Sequence, residues 1–287
     1  MSGDDYKDKV LLAVKDGSAV PPLSTVVQKL NALFCTPSVG VRDLAHVIET
    51  DTSLSARILR QVNSPFYGLV SPVRTITDAS VILGFNEIKH IANAHGLSAL
   101  YRRRAPGGIP PEKIWDHTLQ IACLARAVAH FNEHPSPEQI FTAAILSKTG
   151  IIAFNNVLKG EYAAVVADRL LEADLPVLEH QRFAINHVHV GYILARLWKF
   201  PDDLLDVVSY QYNPTPKERG FQLEAAFIYA ARRMLDALAK SDSPNAIVKY
   251  LPPVVAEKLR LKTETALNAL QEAIAEYNEF KNMMEQR

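Results

Sequence analysis

Cysteine is scarce in this chain of 287 residues: Cys35 and Cys123 stand alone, far apart, in segments of helical periodicity. That pattern fits neither a disulfide framework nor a cysteine-based zinc motif, so each thiol reads as a small buried hydrophobe and the expected compartment is a reducing cytoplasm. Glycine is also sparse, at 12 residues, and no Gly-x-Gly-x-x-Gly cradle, Walker-type phosphate loop or Gly-x-Ser-x-Gly elbow occurs. The common nucleotide folds and serine hydrolases therefore lack support. Charge of one sign is missing too. The 31 basic and 31 acidic side chains cancel, which removes bulk attraction to nucleic acid or anionic lipid and leaves only local patches. Long hydrophobic runs are absent: Val10 to Val14 is too short for a secretory h-region, and Phe141 to Phe154 is interrupted by Ser147, Lys148 and Thr149. A spanning helix needs roughly 20 apolar residues, so no membrane segment is expected.

Convincing period-two alternation is missing as well, whereas apolar residues recur at three-to-four spacing almost everywhere. The chain reads as all-α. Its hydrophobic content of 48% excludes disorder, and the 17 prolines cluster between periodic runs, where a missing N–H ends helices. Val41, Leu44, Ala45 and Ile48 mark one face; Leu54, Ile58, Leu59 and Val62 mark the next. Thr75 with Asp78 reads as a capping box opening a short helix that Gly84 closes, and a longer helix follows from about Asn86 to Tyr101. The Pro- and Gly-rich stretch from Arg104 to Pro111 is the best linker, giving a boundary near residue 105. Beyond it helices are expected near 111–132, 137–147, 161–173, 177–184, 187–198, 202–211 and 221–239, with Ser136 as N-cap before Pro137. From Thr263 onward Leu267, Leu270, Ile274, Tyr277 and Met284 form a stripe, read as packing on its own domain because too few heptads are available for a coiled coil.

Few residues suggest chemistry directly. His130-Phe-Asn-Glu-His134 fits a zinc-binding pattern, but Pro135 and Pro137 make the segment a fraying helix end, where histidine is favoured by the helix dipole alone. His187 and His189 point to different faces of a helix and cannot share one ion, so packing or capping accounts for them. Arg102, Arg103 and Arg104 form the one compact basic cluster, a candidate anion patch or simply a solvated helix terminus.

The first half, by contrast, carries a specific string: Pro21-Pro22-Leu23, Leu44-Ala-His-Val-Ile48, Asp51-Thr-Ser-Leu54, Ile58-Leu59, Val62-Asn-Ser-Pro-Phe-Tyr-Gly68, Ile76-Thr-Asp-Ala79 and Leu83-Gly84. The pattern continues through Trp115-Asp-His117, Phe141-Thr-Ala-Ala-Ile-Leu146, Gly150-Ile151, His187 to Gly191 and Leu197-Trp-Lys-Phe-Pro201. It resembles the HDOD family of bacterial regulatory domains, related to HD-type metal-dependent phosphohydrolases, over roughly residues 18 to 235. Asn63, Ser64, Pro65, Phe66, Tyr67 and Gly68 are its most specific part. They serve equally well as a helix stop with a positive-φ glycine or as an aromatic contact surface.

The resemblance implies an N-terminal helical subdomain (1–105), an HD-like helical bundle (106–240) and a C-terminal helical extension (241–287). In HD phosphohydrolases a histidine, a His-Asp pair and a distal aspartate hold a divalent ion. His117 matches the first; the pair falls on Ser147 and Lys148, and the distal aspartate on Ala231. A hydroxyl, an ammonium and a methyl replace three donors, and the ammonium repels a cation. The implication is a degenerate, non-catalytic bundle without metal or other cofactor, with His117 a satisfied, partly buried histidine. The implied role is signal transduction by protein–protein contact with partners in trans, such as receiver or cyclic-dinucleotide turnover proteins, with no membrane or nucleic-acid role. The rivals are a residual phosphohydrolase using His117, His187 and His189, and nucleotide or nucleic-acid binding in the groove between subdomains through Arg102 to Arg104 and Lys148.

Overall fold

The computed structural model describes residues 1–34, 39–63, 67–102, 106–166, 170, 174–240 and 247–285. Among the described residues there are fifteen α-helices and no strand. Helices α1 (Gly3–Lys15), α2 (Thr25–Phe34), α3 (Val41–Glu49), α4 (Thr52–Val62) and α5 (Ile76–Ser98) lead through a 3-10 turn (Ala99–Arg102) into α6 (Pro111–Phe131). Then follow α7 (Pro137–Leu146), α8 (Thr149–Leu158), α9 (Gly160–Val166), α10 (Leu175–Phe183), α11 (His187–Leu197) and α12 (Asp202–Tyr210). The chain closes with α13 (Leu223–Lys240), α14 (Pro253–Lys258) and α15 (Thr263–Glu285).

The apolar faces read from spacing build the smaller of two cores. Leu44, Ala45, Ile48, Leu54, Ile58 and Val62 are buried together with Leu30, Ile88 and Ile91. Caps set the helix starts: Asp51 accepts from the Leu54 N–H at 3.0 Å and Thr75 Oγ1 from the Asp78 N–H at 3.0 Å, each satisfying a first-turn donor. Gly84, at φ 78°, breaks the helical dihedrals as its spacing implied. Helix resumes at once, so the two expected helices form a kinked α5.

The larger core is organised around α6, against which α7, α13 and α15 pack. Three of its helices were not anticipated: α1, α8 and the short α14. In α8 Thr149 to Asn155 are all buried, so no polar face exists to produce a period. In α1 a Ser2–Asp5 capping box opens a helix whose Tyr6, Val10 and Val14 pack toward α8 and α10. The apolar stretch Pro137–Leu158 is long enough to cross a membrane by composition, but 89% of its most apolar 18-residue window lies inside the protein, and Ser147 and Lys148 divide it into two helices.

Other expectations need correction. Ser136 occupies the N-cap of α7, but its hydroxyl makes no capping bond; Pro137 fixes that start by its ring alone. The helix expected over 161–173 ends at Val166 within the described residues, and 167–169 and 171–173 lie outside them. At the expected boundary Ile109 is buried and tied to α8, where Asn155 accepts from its N–H at 2.7 Å and donates to its carbonyl at 2.8 Å, while Pro106, Gly107 and Pro110 are exposed. On α15 the buried stripe is Ala266, Ala269, Ala273 and Phe280, whereas Ile274 is exposed. Small residues let α15 approach α6 closely, so the alanines displace the bulkier stripe to the flanks; the side chain of Met284 lies outside the described residues.

Helices α8 and α11 cross at Gly150 and Gly191. A Cβ on Gly150 would collide with the His187 carbonyl, while one on Gly191 would meet nothing closer than 3.6 Å. Gly150→Ala should therefore lower stability by about 1–3 kcal/mol through overpacking. Gly191→Ala should be neutral or gain up to about 1 kcal/mol from helix propensity. Thermal unfolding of the two variants separates these outcomes.

Candidate functional site

Lys148 stands at the joint of α7 and α8 and is only 1% exposed. Ser147, beside it, ends α7 by turning its hydroxyl back to the Ala144 carbonyl at 2.6 Å, and Gln211 Nε2 donates to the Ser147 carbonyl at 3.4 Å. The Lys148 Nζ donates to the Leu170 carbonyl at 3.2 Å and to the Tyr212 hydroxyl at 2.9 Å. Tyr212 lies just past α12 and touches three groups. Its ring carries the Arg232 guanidinium, with Cζ 3.4 Å from the centroid, and meets the His187 ring edge-on at 5.2 Å.

Arg232 follows Ala231 on α13; both are buried. Sequence reasoning placed Ala231 here and missed its neighbour. His187 is fully buried at the start of α11. Glu179, on α10 and also fully buried, accepts from His187 Nδ1 at 2.6 Å, from the His187 N–H at 2.8 Å and from the Tyr162 hydroxyl at 2.5 Å. A carboxylate only accepts, so the imidazole proton is on Nδ1 and Nε2 presents a lone pair. Packing or capping does not describe His187: it is the middle of a buried acid–imidazole pair. Asn186 caps α11, accepting from the His189 N–H at 3.0 Å, and the His189 side chain is exposed.

His117, on α6, is half-buried, and its Nδ1 has no hydrogen-bond partner among the described residues. The expectation of a satisfied histidine fails at that atom; the charges acting on the ring are those of Lys148, Lys113 and Asp116. Burial and then the charges of Lys148 and Lys113 hold its pKa below the usual range. His187 is likewise held low, first by burial, with Glu179 opposing and Lys148 and Arg232 adding to the effect. Burial, reinforced by Arg232, brings the Lys148 pKa down to about 7.

The donor set does not suit a divalent ion. Of the four positions that the HD resemblance assigns, His117 alone offers a ligand atom. A unit charge opposes a divalent ion 4 Å away by about 8 kcal/mol at an effective dielectric of 20. Lys148 sheds part of its charge near neutrality, whereas Arg232 does not, so the lasting repulsion comes from the residue that sequence reasoning missed. No group of three or more His, Cys, Asp or Glu among the described residues could hold a metal. The zinc-like motif disperses: His130 faces Glu272 at 3.2 Å and His134 faces Glu224 at 3.7 Å. Cys123 is buried, which pushes its thiol well above the usual range.

The Asn63 motif divides by role. Its amide donates to the carbonyls of Leu59 at 2.7 Å and Val73 at 2.8 Å and accepts from the Val73 N–H at 2.7 Å, clamping the end of α4 to the strap before α5. Gly68 has φ 58°, which favours glycine. Tyr67 lines a cleft of about 520 Å³ together with Gln61, Leu83, Arg126, His130 and the carboxylates of Glu87, Glu138, Glu272, Glu276 and Glu279. Burial pushes Glu276 up to about 7 despite Arg126 at 2.7 Å. Ser64, Pro65, Phe66, Cys35, Arg103 and Arg104 lie outside the described residues, as does the side chain of Arg102.

An all-helical protein thus carries, around the buried Lys148, a cluster of two cations, two tyrosines and an acid–imidazole pair. The HDOD domain family matches residues 20–214, and the chain belongs to that family. The same fold occurs in an HDOD domain protein of unknown function from Geobacter sulfurreducens, with 21% identity, TM-score 0.69 and coverage of 94% of this chain and 96% of that one. It occurs in a provisionally assigned phosphohydrolase of Shewanella amazonensis at 21% identity and TM-score 0.68, covering 92% and 98%. A provisionally assigned signal transduction protein of Marinobacter aquaeolei shares it at 21% identity and TM-score 0.70, covering 99% and 66%. An uncharacterized protein of Treponema pallidum (strain Nichols) is 18% identical over 253 residues, 86% of this chain. This chain spans about half, 48%, of that relative's length.

The buried ammonium sets a pH dependence. Arg232, Glu179, Tyr212 and His187 are the charged and titratable groups around it. Below about pH 7 Lys148 is protonated whether the chain is folded or not, and its burial cost is present in full. Between about 7 and its ordinary 10.5 the unfolded chain holds a proton that the folded one has released, so stability rises with pH. Lys148→Met removes that cost. It should raise Tm by roughly 5 °C below pH 7, with the gain shrinking toward pH 10, as followed by thermal unfolding across that range.

Proposed function

We propose that this chain is a non-catalytic, cytoplasmic regulatory protein that transmits signals through protein–protein contact. The observation that supports this reading is the burial of Lys148, which the resemblance aligns with a metal ligand, together with Arg232 beside it. Water activation needs a Lewis acid there, and two fixed positive side chains oppose its entry. The partners are signalling proteins bound in trans, of the kind that carry receiver or cyclic-dinucleotide turnover domains. The cleft beside Tyr67 is the surface that the HDOD motif helps to form, and its carboxylates have the wrong sign for a nucleic-acid groove. That leaves contact with protein as the better use of this face.

A phosphohydrolase remains the alternative reading, favoured by one observation: Glu179 orients His187 so that Nε2 presents a lone pair, as second-shell carboxylates do for metal-bound histidines. Metal analysis of the purified protein and a phosphodiesterase assay with added manganese decide between them. We expect substoichiometric metal and no turnover above background. Stoichiometric metal with turnover abolished by His117→Ala would replace the regulatory reading with the enzymatic one.

A further inference from the structure

Charge and hydrogen-bonding capacity do not balance around Tyr212. Arg232 is 1% exposed, and its Nε, Nη1 and Nη2 have no acceptor among the described residues; what it has is the Tyr212 face. Lys148 reaches two uncharged oxygens. Glu179, the carboxylate whose charge acts on Lys148, has committed its oxygens to Tyr162 and His187. Buried polar groups are almost always paired, and a buried guanidinium with three unpaired nitrogens calls for a partner.

We infer that this buried cluster, opened by movement of Tyr212, binds a phosphate-class oxyanion, either free phosphate or the terminal phosphoryl group of a small molecule, with Arg232 and Lys148 as its charge partners. The guanidinium fork matches two oxygens of a tetrahedral anion, and the ammonium adds a point charge. His187 selects among anions. Its Nδ1 proton is spent on Glu179, so its open Nε2 accepts the P–OH proton of monohydrogen phosphate, which sulfate at neutral pH lacks. Tyr212 is the cover: its half-exposed ring lies over Arg232 and its hydroxyl on Lys148, so rotation of one side chain uncovers both cations. The inference shares with the regulatory reading only the cationic nature of the pocket. A failure to bind phosphate leaves that reading standing, and metal-dependent turnover would defeat it separately.

Calorimetric titration of the full chain with inorganic phosphate, at ionic strength held constant with sodium chloride, is the test, with thermal unfolding in parallel. One-site binding and a Tm raised by phosphate at about 10 mM are expected, with sulfate at least about tenfold weaker because it leaves Nε2 unpaired. Arg232→Met replaces a buried cation with an apolar chain of similar length and should fold at least as well. It should lose phosphate affinity by more than about tenfold, and Lys148→Met should lose it as well. A phosphate monoester titrated alongside distinguishes the sources: binding at least as tight as phosphate assigns the site to a phosphoryl group, and exclusion assigns it to the free ion. No phosphate response beyond the chloride control, or an equal response in both variants, would overturn the inference.

Discussion

The larger core encloses a protonatable amine at the joint between α7 and α8, at a cost in stability that the surrounding packing offsets. A lysine in the middle of an apolar stretch ordinarily turns outward, because its charge loses hydration on burial. Here it cannot turn out: α6, α11, α12 and α13 surround the joint, and Tyr212 meets its Nζ at 2.9 Å. One aromatic side chain performs three tasks, since its hydroxyl takes the ammonium, its face takes Arg232 and its edge meets His187. The packing of four helices therefore converges on a residue in a loop. Displacement of Tyr212 would be felt at once by Lys148, Arg232 and His187.

The acid–imidazole pair is built by a second constraint, the close crossing of α8 on α11. Gly150 has no room for a Cβ because the His187 carbonyl passes directly over it. That contact holds the start of α11 at a fixed depth, and Asn186 caps it. His187 is thereby held where Glu179 receives both its backbone and its side-chain protons. Backbone proximity and polar geometry are the same fact seen from two sides: the glycine permits the approach, and the approach makes the bond.

Sequence periodicity exposed those parts of the fold that have a wet side. The faces of α3 and α4, the Thr75 cap and the Gly84 break all alternate buried with exposed positions or use a residue of particular backbone freedom. Helix α8 escaped because burial on every side erases the period, and α15 was read one stripe away because alanines contribute little to a hydrophobic pattern while packing most closely. At the site, His117, Ser147, Lys148 and Ala231 came from resemblance, and that route ends at aligned positions. Arg232 is one residue from Ala231, while Tyr212 and Glu179 come from segments distant in sequence, so only the fold brings them to Lys148. A signal was nonetheless present. Two adjacent arginines, Arg232 and Arg233, stand in the middle of α13 between Ala231 and Met234, in a helix with many buried positions; neighbours on a helix point about 100° apart, so one of the two charges must find a partner inside.

The zero net charge conceals a separation of sign that bears on how such a protein is recognised. Glu87, Glu138, Glu272, Glu276 and Glu279 gather around one cleft, against Arg126 and His130, while Lys148 and Arg232 are sealed within the bundle. Long-range fields act on partners through exposed charge, because mobile ions and water screen what lies between. The face beside Tyr67 is therefore acidic to an approaching molecule, and the buried cations exert their influence only at contact distance. Under the readings proposed above, a partner with basic side chains would be steered to the cleft, whereas a small anion would first have to displace Tyr212. The two regions meet through α6, which supplies Arg126 to one and His117 to the other. A change in how α6 packs at either end is thus the shortest physical route by which binding of the inferred anion would alter the outer surface.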